Sequence, residues 1–120
     1  MGPLDPPGAS KSTRLTGRSN FDRVYRTGKR IRLSDLTIIV APNSLPHSRL
    51  GISVKKNFGN AVKRNRTKRV IRELFRRNRG LFPPGHDVVI APQRDFLHQD
   101  WSRRQRNLVD ALTRFRRIEN

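Results

Sequence analysis

Between Lys55 and Arg79 the chain carries eleven basic residues and a single acid, Glu73. Guanidinium and ammonium groups in such density are suited to anion recognition: they neutralise phosphates and donate charge-assisted hydrogen bonds to them. On a helical wheel at about 100° per residue, Thr67, Val70, Ile71, Leu74 and Phe75 fall on one arc. Asn65, Arg69, Arg72 and Arg76 fall on the opposite arc, flanked by Arg66 and Lys68. Like charges three and four residues apart repel in a free helix, and a merely solvated helix face mixes its signs. The pattern therefore predicts a helix anchored by its apolar arc, with its cationic arc turned to a polyanion.

Other chemistries find little support. The nine acids are scattered and form no close pair, whereas a nuclease built on two metal ions needs several converging carboxylates. His47, His86 and His98 lie in or beside expected loops and show no His-x-x-x-His spacing, so they read as surface residues rather than as ligands or a general base. There is no cysteine, which removes disulfides, thiolate nucleophiles and thiolate metal sites together and is compatible with a cytoplasmic location. Phe21 and Tyr25 are four residues apart and share a helix face; spacing alone makes them core residues.

The elements around these groups fit one small domain. The chain has 120 residues, 33% of them hydrophobic, a formal net charge of +18 and a pI near 12.0. Such a charge destabilises an isolated compact state by self-repulsion. Arg greatly outnumbers Lys, and its planar, bidentate fork favours nucleic acid over a membrane or an acidic protein. The first ten residues hold Pro3, Pro6 and Pro7 and no apolar stretch, unlike a signal peptide. No apolar run approaches the roughly 20 residues of a membrane span, so no membrane partner is expected.

Residues 1–13, rich in Pro, Gly and Ser, are expected to be a disordered tail. Residues 14–117 are expected to form the domain, and 118–120 a C-terminal tail. Ser19 is the expected cap of a first helix that carries Phe21, Val24 and Tyr25 and ends at Gly28. Strands are expected at 30–33 and at 36–41, the latter β-branched and stopped by Pro42. In a further strand over 49–55, Leu50, Ile52 and Val54 share one face. Asn60 caps the basic helix, which is expected to reach Arg79 and end at Gly80. A turn at 83–85 precedes a strand over 87–91, whose continuous apolar run suits an interior position. Asp100 caps a last helix with Trp101, Gln105, Leu108, Leu112 and Phe115 on one stripe and Val109 beside it. The order gives an α+β fold, helices on a small sheet.

At these residues the sequence resembles the protein subunit of bacterial ribonuclease P. The resemblance is strongest over residues 49–73, through Gly51, Val54, Lys55, Lys56, Gly59, Ala61, Val62, Arg64, Asn65, Arg66, Lys68, Arg69, Arg72 and Glu73. It extends weakly over 21–28 and 87–91, and in all from about Leu15 to Arg117. It implies a sandwich of a four-stranded sheet and three helices. Two parallel strands would be joined by a left-handed βαβ crossover, as in the second domain of a small-subunit ribosomal protein. Such a crossover runs against the usual right-handed preference.

The resemblance further implies that Lys55, Lys56, Arg64, Asn65, Arg66, Lys68, Arg69 and Arg72 bind the catalytic RNA of a ribonucleoprotein. A cleft between the first helix and the sheet would hold the single-stranded 5′ leader of precursor tRNA, with Phe21, Tyr25, Thr37 and Ile39 in it. Some relatives carry an aromatic residue at the position of Ile39. The implied reaction is hydrolysis of one phosphodiester, carried out by the RNA and its Mg²⁺ ions, with no metal assigned to the protein. Without the resemblance, the same composition also suits a structural, ribosomal-type RNA-binding protein, an autonomous nuclease or a DNA-compacting protein.

Overall fold

The structure, a computed structural model, describes residues 13–93 and 96–119. The expectation of a disordered tail over 1–13 thus lies, apart from Thr13, outside the described residues; Thr13 itself is buried. The elements in order are α1 (Arg18–Thr27), β1 (Lys29–Arg32), β2 (Leu36–Pro42), β3 (Arg49–Ile52), α2 (Ala61–Arg77), β4 (His86–Pro92) and α3 (Trp101–Glu119). Short 3₁₀ turns at Lys56–Phe58, Arg79–Leu81 and Phe96–His98 join them. The four strands form one mixed sheet in the order β1-β2-β4-β3. β2 is antiparallel to β1 and β4, and β3 runs parallel to β4, so α2 is the crossover between two adjacent parallel strands.

The sheet has helices on both faces, which explains why β2 and β4 read as unbroken apolar runs. Side chains alternate between faces. Ile38, Val40, Val88 and Ile90 join the larger core with Ile71, Leu74 and Phe75 of α2 and Leu108, Ala111, Leu112 and Phe115 of α3. Ile39, Ala41 and Val89 point the other way, to Val24 of α1 and Leu15. β4 is interior, as its composition predicts.

Two expected capping groups are different in the structure. α1 starts at Arg18, one residue before Ser19, and its cap position is Gly17 at φ 89°, a left-handed conformation in which glycine carries no Cβ penalty. Ser19 makes no cap. α2 begins as expected, the Asn60 side chain accepting a hydrogen bond from the Lys63 amide at 2.9 Å. It ends at Arg77 rather than Arg79, because the Asn78 side-chain amide donates to the Leu74 carbonyl at 2.8 Å and closes the last turn. Gly80 falls within the 3₁₀ turn that follows. β3 is also shorter than the expected 49–55. The Ser53 amide still donates to the Ile90 carbonyl, after which the chain leaves the sheet toward the 3₁₀ turn at Lys56. Asp100 caps α3, its carboxylate accepting from the Arg103 amide at 2.8 Å.

Two buried carboxylates tie helices to the sheet. Asp87 of β4 is fully buried and accepts from Arg49 of β3 at 2.8 and 2.9 Å, from Asn43 at 2.9 Å and from Arg23 of α1. Burial pushes its carboxyl up, but the bonds from Arg49, Asn43 and Arg23 outweigh burial and hold it below the ordinary carboxylate range. Asp35, between β1 and β2, accepts from Asn107 of α3 at 2.7 Å. Here burial dominates and raises the carboxyl above that range.

Candidate nucleic-acid interface

The outer face of α2 follows directly from the wheel. Thr67, Ile71, Leu74 and Phe75 are buried, which fixes the helix rotation. Asn65, Arg66, Arg69, Arg72 and Arg76 are exposed, and Arg64, Lys68 and Val70 are half-buried. Glu73 divides this face. It binds Arg76 and Arg77 together, and those two guanidinium groups lower its pKa to about 2. Arg66, Arg69 and Arg72 have no carboxylate partner among the described residues. The cationic surface continues onto α3. Burial, reinforced by the nearby charge of Arg66, lowers the pKa of Arg104, which donates to the Phe96 and Leu97 carbonyls, each at 3.0 Å.

Arg64 and Lys55 depart from this row. The Arg64 guanidinium donates to the Gly59 carbonyl at 2.7 Å, fastening the entry loop of α2. Lys55 and Lys56 precede the helix, and Lys55 lines a cleft on the opposite side of the sheet from α2.

That cleft has a volume of about 810 Å³. Its lining comes from α1, from one face of β1, β2 and β4, and from the loop after β3. Tyr25, Thr37 and Ile39 line it together with Arg30, Arg32, Ser53, Lys55, Asn57, Phe58, Ala91, Pro92 and Gln93. Two glycines permit this layout. At Gly28 a Cβ would stand 2.5 Å from the Val24 carbonyl and 2.8 Å from Ile39, so only glycine lets α1 turn into β1 there. At Gly51 a Cβ would meet Leu15 and the Phe21 ring at about 3 Å. Phe21 thus packs closely on the backbone of β3 at Gly51. Its ring centroid is 6.2 Å from that of Tyr25, but it opens on a different, smaller cavity of about 140 Å³, beside Leu15, Lys68 and Arg72. The four residues that the resemblance implies for the cleft therefore divide. Tyr25, Thr37 and Ile39 come together, while Phe21 sits between the cleft and α2. In the cleft the Gln93 side-chain amide donates to the Thr37 hydroxyl at 3.1 Å, and the Arg30 guanidinium lies 5.9 Å from the centre of the Tyr25 ring.

Arg30, Arg32, Phe58 and Gln93 were missed by sequence reasoning. The available signal was the alternation in Lys29–Arg32, which puts Arg30 and Arg32 on one face of β1; which face is settled only by the pairing of β1 with β2. Among the described residues no three of His, Cys, Asp and Glu gather where they could hold a metal ion. The carboxylates of Asp87 and Glu73 are instead bound to arginines. No helix among the described residues is long and apolar enough to cross a membrane.

The sequence and fold have well-defined relatives. A family model described as Ribonuclease P matches residues 9–116. The ribonuclease P protein component of Thermotoga maritima is 36% identical over 109 residues, spanning 88% of this chain and 93% of the relative. The solved RNase P protein structure from Thermotoga maritima superposes with a TM-score of 0.77 at 36% identity, covering 84% of this chain and 96% of that one. The RNase P protein structure from Staphylococcus aureus gives a TM-score of 0.76 at 30% identity, over 86% of this chain and 94% of that one.

Proposed function

Since the chain belongs to the ribonuclease P protein family, we propose that its two basic surfaces divide the work of the ribonucleoprotein, α2 holding the catalytic RNA and the cleft holding the 5′ leader of precursor tRNA. The chain is the protein subunit of a ribonuclease P holoenzyme, an enzyme of tRNA processing, and its implied partner is the ribonuclease P RNA. The observation that carries the division of work is the presence of two cationic surfaces of different shape, whose arginines Arg66, Arg69, Arg72, Arg30 and Arg32 have no carboxylate partner among the described residues. α2 presents a convex row, Arg66, Arg69 and Arg72, suited to the phosphates of a folded RNA. The cleft is concave, with Tyr25 on one wall and a floor of Thr37, Ile39 and Ala91, suited to an unpaired strand whose bases can stack.

Hydrolysis of the phosphodiester belongs, in this reading, to the RNA subunit with its Mg²⁺ ions. The protein's residues bind and orient. Arg66, Arg69, Arg72, Lys56 and Lys68 neutralise phosphates, releasing counterions and letting two polyanions approach. Asn65 adds a polar contact beside them, and Arg64 acts by fixing the loop that presents Lys55 and Lys56. The cleft binds a segment that mature tRNA lacks, so it favours substrate over product, a difference of affinities. The location of the complex is the cytoplasm.

The test combines the protein, the catalytic RNA and precursor tRNA at low Mg²⁺, omitting each in turn. Cleavage that needs both macromolecular components is the expected result. Cleavage by protein alone would overturn the assignment of the chemistry, and cleavage unaffected by the protein would favour a purely structural RNA-binding role.

A further inference from the structure

The strand register orders the cleft floor into rows. Arg30 of β1 pairs with Ile39 of β2, Ile39 with Val89 of β4, and Val89 with Gly51 of β3. The next row on this face runs Arg32, Thr37, Ala91, with Ser53 beyond it on the cleft wall. α1 and Leu15 cover much of the first row, since Ile39 and Val89 are buried with Val24. Beyond Arg32 the second row is made of the small side chains Thr37, Ala91 and Ser53, with Thr37 buried under the Gln93 amide and Ala91 and Ser53 half-buried on the cleft lining. Each row begins with an arginine at the β1 edge of the sheet, and Lys55 stands at the far side.

The two arginines are unlike their neighbour on the same strand. Lys29 points to the opposite face and pairs with Glu119 of α3 at 2.6 Å. Arg30 and Arg32 are exposed and no carboxylate pairs with either among the described residues. Residues two apart on a strand are about 6.7 Å apart on one face, close to the spacing of successive phosphates along an extended single strand. Two like charges held at that distance without a counter-charge are unfavourable by themselves and become favourable with a polyanion between or along them.

We infer that Arg30 and Arg32 form a distal phosphate rim for the leader, which crosses the sheet from the Lys55 side and leaves over the edge of β1. The inference rests on the leader occupying the cleft and goes beyond it by giving the strand a direction and an exit. Lys55 adjoins the entry loop of α2, the side proposed to face the catalytic RNA, so nucleotides near the cleavage point lie there. From β3 to β1 is three strand spacings, about 14 Å, so Arg30 and Arg32 take nucleotides farther from that point. The Arg30 guanidinium, already near the Tyr25 ring, also closes the wall on which a base would stack.

The experiment uses the reconstituted holoenzyme and precursor tRNAs whose leaders are lengthened one nucleotide at a time. Wild-type affinity is expected to rise with leader length to a plateau. Arg30→Gln with Arg32→Gln is expected to lose only the last part of that rise, about tenfold in affinity, and to flatten the salt dependence on long leaders by about 1.4 in log–log slope. Short leaders and mature tRNA are expected to bind as before, and Arg30→Lys with Arg32→Lys should keep most of the gain. An equal loss on the shortest and longest leaders would overturn the rim, as would the same loss from Lys29→Gln on the opposite face. No leader dependence in the wild-type holoenzyme would instead remove the cleft reading itself.

Discussion

The helix face and the cleft carry the same kind of charge on opposite sides of one sheet, yet they are built differently. On α2 the arginines stand on a convex surface, and a single element explains their placement: the buried arc sets the rotation and the exposed arc follows. In the cleft, Arg30, Arg32, Lys55, Tyr25, Thr37 and Ala91 come from α1, β1, β2, β4 and the loop after β3. A convex row neutralises whatever phosphate surface approaches it. A concave site with cationic edges also selects for shape. Charge density thus marks a surface suited to a polyanion, whereas strand register shapes which one fits.

A substitution in the frame that joins α1 to the sheet should do the most damage, and to the cleft side. Asp87 joins α1, through Arg23, to β3 and β4. Asp87→Asn leaves Arg49 and Arg23 without their carboxylate and should cost about 3 kcal/mol, since removing one partner of a buried ion pair strands the other. A denaturant melt at neutral pH measures it. The folded-state carboxyl lies below its unfolded value, so the contribution is fully present above the unfolded value and is lost as pH falls through the folded one. Wild type should lose stability across that acid interval, and the variant should show less of this loss.

The next largest effect separates the surfaces by partner. Arg66, Arg69 and Arg72 together mutated to Ala should weaken binding to the catalytic RNA by about a hundredfold at moderate salt and flatten the log–log salt slope by about 3. All three are exposed, so the melting temperature should hold. An unchanged slope would separate these residues from the phosphates. Tyr25→Ala should act on the other surface. A lost base stack is worth about 1–3 kcal/mol, so discrimination of precursor from mature tRNA should fall by about tenfold with affinity for the catalytic RNA unchanged. Titration of the holoenzyme with both tRNAs reads it directly.

These two surfaces also differ in how far the sequence discloses them. The helix face was legible because a period of 3.6 residues maps one segment onto two arcs, and Thr67, Ile71, Leu74 and Phe75 are buried as that period requires. The strands of the sheet and the cap at Asn60 were legible for the same local reason. Arg30 and Arg32 were not, because alternation on a four-residue strand says that they share a face without saying which. Only the pairing of Arg30 with Ile39 and Arg32 with Thr37 turns them toward the cleft. The position of Phe21 likewise depends on a residue distant in sequence. Its spacing from Tyr25 is right for a shared face, and the two rings are neighbours, but Gly51 lets the tip of the Phe21 ring approach β3 beside the smaller cavity. Ser19 and Gly80 lost their expected roles to Gly17 and Asn78, where backbone conformation and a side-chain hydrogen bond outweighed residue preference.

The smallest expected effect concerns the one acid on the basic helix. Glu73 accepts from Arg76 at 2.9 Å through one oxygen and from Arg77 at 2.7 Å through the other, so it partly neutralises two exposed guanidinium groups, while among the described residues Arg66, Arg69 and Arg72 have no carboxylate partner. Glu73→Gln should release both. RNA affinity should then rise about twofold at low salt, with the gain vanishing at high salt because it is electrostatic. Helix stability should fall slightly, and the fall should depend on pH. The Glu73 pKa is lowered to about 2, so its contribution is complete above the ordinary glutamate value and disappears as pH falls through about 2. Wild type and variant should therefore differ in melting temperature at neutral pH and converge in strong acid. Weaker RNA binding by the variant at low salt would show instead that Glu73 orders Arg76 and Arg77 for RNA contact rather than occupying them, and the free row on α2 would then be longer than the ion pairs suggest.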